Sequence, residues 1–225
     1  MRRLRVRTGP AKGLAFELSP RWEHAAWEGS YELSVQRRFV EFLKPSMTVF
    51  DVGANYGFYS LLAARREARV FAFEPDSQNA QALTRHASLN GLSDRIRIVP
   101  CAVFSYSGSI RLEPRDGGVH GNAHTASQPT ARPTVPVRCI TLDDFTASNP
   151  APNLLKMDVE GAESEVLKGA ERLFRTVRPI LLCEIHDDAN SRFAQEWLMQ
   201  RSYSCDWLEG QATFPRHLLA VPAER

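Results

Sequence analysis

Four apolar runs in this 225-residue chain each carry an acid at or near their end: Val49-Phe50-Asp51-Val52, Val70-Phe71-Ala72-Phe73-Glu74, Leu154-Leu155-Lys156-Met157-Asp158 and Leu181-Leu182-Cys183-Glu184. The first continues into Gly53-Ala54-Asn55-Tyr56-Gly57, and Pro75 follows Glu74. Read in order, this is a buried strand, a glycine turn, a helix start, a second strand and an acid. Glycines let backbone approach a ligand without a Cβ in the way. A carboxylate about twenty residues further on can hold both hydroxyls of a ribose.

The glycine spacing is G-x-x-x-G. It is not the G-x-G-x-x-G of dinucleotide binders, and no Gly-Lys-Ser/Thr follows to cradle phosphates. A ligand with adenosine and no phosphate fits, and S-adenosylmethionine is the expected cofactor. Its candidate contacts are Asp51, Gly53, Asn55, Gly57 and Glu74. Asp51 can accept from the turn or from a ligand amine. Asn55 offers donor and acceptor to the methionine end. Glu74 takes the ribose.

The other two acids are candidates for catalysis. Lys156-Met157-Asp158-Val159-Glu160-Gly161-Ala162-Glu163 is denser in charge than burial alone explains. Asp158 is expected to face the cleft, whereas Glu160 and Glu163 suit the start of the next helix. Lys156 shares a side with Asp158; it either pairs with an acid of the site or snorkels from an edge. In Glu184-Ile185-His186, period two puts Glu184 and His186 on one face. Histidine beside a carboxylate is a natural general base. His186 is therefore the expected base, with Glu184 orienting it and Asp158 as the rival. Asp158, Glu184 and His186 could also converge on a hard ion, but no sequential ligand motif supports that, and no metal is expected.

Elements that would position these residues alternate along the chain. Strands are expected at 47–52, 69–74, 96–102, 153–157 and 180–185, and helices at 58–66, 77–90, 163–174 and 192–201. Such alternation predicts an α/β fold: a mostly parallel sheet with helices on both faces and right-handed crossovers. A terminal pair at 203–208 and 218–221 would add an antiparallel edge. Ligands of such sheets sit at the carboxyl ends of the strands, where strand order reverses. Residues 1–45 are expected to form an extension with a lid or cap helix over 31–43, and 46–225 the catalytic domain. Shorter strands are expected at 109–113 and 135–140. Between them, residues 114–134 are rich in Gly, Pro and small polar residues and read as a flexible loop or substrate-facing lid.

Composition narrows the partners. Net charge is +2 and the hydrophobic fraction 43%, so nothing calls for nucleic acid. Arg2, Arg3, Arg5 and Arg7 read as a solvated terminus. Cys101, Cys139, Cys183 and Cys205 form no C-x-x-C pair, which argues against zinc and redox motifs. No apolar run reaches the length of a membrane span, and the expected location is cytoplasmic.

Taken together, Phe50 to Gly57, Phe73-Glu74-Pro75, Thr141-Leu142-Asp143-Asp144-Phe145, Lys156 to Glu163 and Glu184-Ile185-His186 resemble the FkbM family of S-adenosylmethionine-dependent methyltransferases. The resemblance implies a Rossmann-like class I methyltransferase fold. It also implies O-methylation of a hydroxyl on a sugar or secondary metabolite, with a small-molecule acceptor as partner. Two alternatives are an N-methyltransferase acting on an amine and a cofactor-binding module without turnover. The first is disfavoured because Lys-Met-Asp-Val-Glu-Gly stands where amino-methyltransferases carry Asn/Asp-Pro-Pro-Tyr/Phe.

Overall fold

Apolar residues at every position of a strand, rather than at alternate ones, require cover on both faces. The computed structural model describes residues 1–18, 23–113, 124–125, 134–210 and 213–223, and it shows that cover. An antiparallel pair, β1 (Arg2–Arg5) and β2 (Ala15–Leu18), precedes helices α1 (His24–Glu28) and α2 (Leu33–Phe42). In α2, Val35 and Phe39 are one turn apart and both buried, the spacing of an amphipathic helix. The Phe39 ring meets Tyr59 at 5.1 Å. Helix α1 lies in the N-terminal extension ahead of the expected helix over 31–43.

The chain then winds β3 (Thr48–Val52), α3 (Phe58–Ala64), β4 (Arg69–Phe73), α4 (Ser77–Leu89) and β5 (Ile96–Val99). Asp76 caps α4, its carboxylate accepting from the Gln78 and Asn79 N–H groups at 2.8 and 2.9 Å. The strand expected over 96–102 is two strands. Pro100 has no N–H for the ladder, and beyond it β6 (Ala102–Val103) leaves the main sheet. A second sheet, in the order β6-β9-β7-β8, gathers β7 (Gly108–Glu113), β8 (His124–Thr125) and β9 (Val135–Ile140). Most of the loop or lid expected over 114–134 lies outside the described residues.

After helix α5 (Leu142–Thr146) come β10 (Leu154–Met157), α6 (Glu163–Lys168), α7 (Glu171–Thr176), β11 (Ile180–Ile185), α8 (Asp188–Met199), β12 (Tyr203–Trp207) and β13 (Arg216–Pro222). The helix expected over 163–174 breaks at Gly169. A Cβ there would lie 2.2 Å from the Phe104 carbonyl oxygen, so the closeness of that backbone requires glycine.

The main sheet has seven strands in the order β12-β13-β11-β10-β3-β4-β5. β13 pairs antiparallel with both neighbours, so the antiparallel strand lies one place in from the edge. Successive residues of β3 serve opposite layers. Val49 joins Phe39, Leu61, Leu62 and Leu83. Phe50 joins Phe73, Phe145, Phe174 and Leu181, with ring centroids of Phe50, Phe73 and Phe145 within 4.8–5.5 Å. Each such aromatic pair adds about 0.5–1.5 kcal/mol beyond area burial. The chain runs outward from β3 through β4 to β5, then returns to β10 on the other side. The carboxyl ends of β3 and β10 therefore flank the switch point. Cys101, Cys139 and Cys183 are buried free thiols, as small hydrophobes would be. Among the described residues no helix is long and apolar enough to cross a membrane.

Candidate active site

At the switch point, the end of β3 turns over Gly53 and Gly57, with φ of +79° and +93°. A Cβ on Gly53 would stand 1.7 Å from the Asp158 carbonyl oxygen, and one on Gly57 would stand 2.6 Å from the Leu83 side chain. Gly53 thus lets two strand ends touch, while Gly57 lets α3 pack on α4. Between them Asn55 is left-handed, with φ of +50°, and its side-chain oxygen accepts from the Tyr56 N–H at 2.8 Å.

Glu74 leaves β4 beside this turn. The Asn55 N–H donates to one of its oxygens at 2.7 Å and the Asp76 N–H to the other at 2.8 Å. An ionised carboxylate offers about four lone-pair sites, so one on each oxygen remains. Burial pushes the Glu74 carboxyl up to about 7, against the pull of those two N–H groups. A cleft opens here. Gly53, Asn55, Glu74, Asn79, Asp158 and Glu160 supply its polar wall; Phe73, Cys101, Val103, Ile110 and Leu112 supply its apolar wall. The buried side-chain oxygens Asn79 Oδ1 and Asp158 Oδ1 have no hydrogen-bond partner. An acid with lone pairs to spare, an apolar slot and unsatisfied polar atoms would fit a nucleoside-bearing cofactor, and Gly53, Asn55, Glu74 and Asn79 are the residues placed to hold one. Asn79 was not foreseen, because helix-capping chemistry explains Asp76 to Asn79 without a ligand.

Asp51 does not reach the cleft. It is buried behind the turn, accepts from the Ser60 hydroxyl at 2.5 Å, and is pushed up to about 6 by that burial. It faces Lys156, whose side chain is 1% exposed. Burial alone would lower the Lys156 ammonium, but the charges of Asp158, Glu32, Glu184 and Asp51 raise it above its ordinary value. The ammonium lies 3.8 Å from Asp158 Oδ2 and 5.0 Å from the Tyr59 ring centroid. Lys156 therefore pairs with acids of the site; it is not a snorkelling edge residue.

Asp158 is the junction. Its Oδ1 lies 3.7 Å from His186 Nε2, which is also 3.5 Å from Glu160. His186 Nδ1 is held by Glu163 Oε1 at 2.6 Å. Glu163 thus takes the orienting part expected of Glu184. It is the first residue of α6 and also accepts from the Gly161 N–H at 2.9 Å, so its helix-start role is real and incomplete. Burial would lower the His186 imidazole, but Glu163, Asp158 and Glu160 raise it to about 9; near neutral pH it is a cation. Glu184 turns toward His217, its partner across the β11–β13 ladder, with 3.7 Å between Oε2 and Nε2. Burial raises the Glu184 carboxyl, and the charge of Asp158 raises it further.

Two elements outside the expected motifs complete the site. Glu32, at the start of α2, accepts from the Tyr59 hydroxyl at 2.6 Å and lies 3.6 Å from His217 Nε2. His217 enters from β13. The clustering of acids around Lys156 hinted at further partners, but no local pattern identified Glu32 or His217.

The methyltransferase FkbM domain matches residues 51–209. Hexuronic acid methyltransferase AglP of Haloferax volcanii is 29% identical over 181 residues, covering 78% of this chain and 71% of AglP. The 2-O-methyltransferase NoeI of Sinorhizobium fredii is 29% identical over 165 residues, covering 65% of this chain and 67% of NoeI. Among solved structures, methyltransferase FkbM from Methylobacillus flagellatus KT has a TM-score of 0.58 at 20% identity over 85% of this chain, which spans 51% of that protein. A precorrin-6y C5,15-methyltransferase from Geobacter metallireducens has a TM-score of 0.53 at 11% identity, covering 84% of this chain and 86% of its own. The fold is that of the class I methyltransferases, and the chain belongs to the FkbM methyltransferase family.

Proposed function

We propose that this protein methylates a hydroxyl oxygen of a sugar-type small molecule, taking the methyl group from S-adenosylmethionine. The observation that carries this reading is Glu74. It stands at a strand end beside the Gly53 turn, is fixed by two backbone N–H groups, and keeps lone pairs toward a cleft that ends on Asp158. Similarity to AglP and NoeI, named for a hexuronic acid and for 2-O-methylation, supports a sugar acceptor.

The cofactor supplies an activated methyl on a sulfonium; the protein supplies position and a proton sink. Glu74, Asn79 and the Gly53–Asn55 backbone hold the adenosine end. In-line placement of the acceptor oxygen can supply roughly 7–11 kcal/mol of the barrier. A hydroxyl is a poor nucleophile and must lose its proton as the new bond forms. Two bases were expected, His186 and Asp158. The geometry favours Asp158, which lines the cleft and whose Oδ1 accepts no hydrogen bond, with His186 Nε2 3.7 Å away, while His186 is already a cation among three carboxylates. His186 and Lys156 are its positive neighbours, at 3.7 and 3.8 Å. Glu184 acts next to it as a proton-sharing neighbour.

Titration calorimetry with S-adenosylmethionine, with NAD as control, tests the cofactor. A methyl-transfer screen over hexuronic acids and simple glycosides tests the acceptor. Asp158→Asn should lower turnover by roughly 10²–10⁴-fold with cofactor affinity within a few-fold. No binding of S-adenosylmethionine overturns the reading, and a turnover loss confined to His186→Gln returns the base role to His186.

A further inference from the structure

We propose that Glu32, Glu184 and His217 form a binding site for one divalent transition-metal ion, of the Mn(II) or Zn(II) type. Each residue comes from a different element: the start of α2, β11 and β13. One ligand atom from each lies within 4.8 Å of the others.

The histidine carries the argument. Its side chain is 6% exposed, and its Nε2 is buried with no hydrogen-bond partner. A lone buried ring nitrogen is costly unless something is meant to meet it. That nitrogen points between Glu32 Oε2 at 3.6 Å and Glu184 Oε2 at 3.7 Å. Both distances are too long for hydrogen bonds. They match the separation of neighbouring donors around a shared ion: with roughly 2.1 Å from ion to each donor, ligands of a four-coordinate site lie about 3.4 Å apart.

The far side of the ring is arranged to suit. Glu209 accepts from the His217 backbone N–H at 2.8 Å and holds Nδ1 at 2.6 Å. A carboxylate on Nδ1 fixes the orientation of the ring, as in carboxylate–histidine–metal triads; Glu32 and Glu184 favour a proton on Nε2 in the ion-free protein, and that proton leaves as the ion binds. The Tyr59 hydroxyl anchors Glu32 at 2.6 Å. One imidazole and two carboxylates suit Mn(II) or Zn(II) better than softer ions. Three protein ligands leave positions open for water or an oxygen of a bound molecule.

The site adjoins Asp158 through Glu184, so its test reads the ion and not turnover. Purified protein is stripped with a chelator and titrated with Mn(II), the free ion being followed by electron paramagnetic resonance. One ion per chain is expected to bind. Affinity should fall at least tenfold in Glu184→Gln, which removes a ligand. A 10–100-fold fall is expected in Glu209→Gln, which touches only the far side of the ring. His186→Gln should bind as wild type does. Circular dichroism and thermal midpoints establish that each variant is folded. In the wild-type protein Zn(II) should shift the ring Nε2 resonance of His217 and leave that of His186 in place, which needs no variant. No uptake of Mn(II), uptake unchanged in both Glu184→Gln and Glu209→Gln, or uptake lost in His186→Gln overturns the proposal.

Discussion

Lowering the pH should loosen cofactor binding through one residue, Glu74. Burial holds its carboxyl at about 7 in the free protein. Its two oxygens already accept from the Asn55 and Asp76 N–H groups, so a ribose diol must use the remaining lone pairs. Protonation places a hydrogen on one of them and removes an acceptor. Binding therefore selects the ionised form, and affinity follows its population. With a midpoint near 7, that population falls roughly 20-fold between pH 7.5 and 5.5, about 1.4 kcal/mol per pH unit once below the midpoint. The window stays below the ligand's α-amino range near 7.7. The assay is calorimetric titration of S-adenosylmethionine at four pH values in buffers of matched ionic strength. Glu74→Gln should bind at least tenfold more weakly at pH 7.5, because charge-assisted hydrogen bonds worth about 1.5–3 kcal/mol are lost, and its affinity should not vary with pH. Constant wild-type affinity across this window, or equal pH dependence in the variant, would refute the reasoning.

Other perturbations separate structure from chemistry. His186 sits at about 9, above its unfolded value of 6.5, so its stabilising contribution is complete below pH 6.5 and disappears as pH rises through 9. The full difference corresponds to roughly 3 kcal/mol, and solvent screening reduces it to about 1–2. In urea melts, the stability gap between wild type and His186→Gln should close between pH 6.5 and 9.5; a constant gap would contradict the carboxylate cage. Gly53→Ala should destabilise by roughly 4 kcal/mol or more, because its Cβ meets the Asp158 carbonyl oxygen at 1.7 Å. Gly161→Ala, at φ of +98° with nothing within 4 Å, should cost only about 1–2 kcal/mol of backbone strain, so equal midpoints for the two would be the contrary result. Lys156→Met should cost about 3–5 kcal/mol, because it leaves buried carboxylates without their cation; stability within about 1 kcal/mol of wild type would show that the ammonium does not hold them.

The sheet was legible because β3, β4, β10 and β11 are runs of mostly apolar residues with an acid at or near the end, and α4 starts at a capping signal. Asp76 and Asn90-Gly91 bracket α4 within a residue of expectation. The helix expected over 192–201 starts four residues earlier, at Asp188, behind the local cap Asp187, whereas two other boundaries move because of remote contacts. Pro100 splits a strand and Gly169 splits a helix because of backbone neighbours, β9 and Phe104, that are remote in sequence. Local propensity does not contain such contacts. At the site, Gly53, Asn55, Glu74 and Asp158 were legible as strand-end residues and all line one cleft. Glu163 was passed over because an acid in the first turn of a helix already has a sufficient explanation.

What remained illegible lies on the other side of Asp158. Glu32, Glu184 and His217 meet because α2 folds over α3 and because β13 inserts antiparallel beside β11. Neither arrangement follows from the strand–helix alternation that identifies the core. The division has a physical basis. The end of the cleft at Gly53 and Glu74 is built from consecutive strand ends and one turn, so its geometry is local and can be read from spacing along the chain. The other end is assembled from an N-terminal helix start, a mid-chain strand and a C-terminal strand, so its composition changes with any shift in those elements. Acceptor choice is therefore expected to follow Glu32 and His217 more than the motif residues. An exchange of residues 23–43 with a relative's segment should alter acceptor preference while leaving cofactor affinity in place; the reverse outcome would assign the acceptor to the motif residues instead.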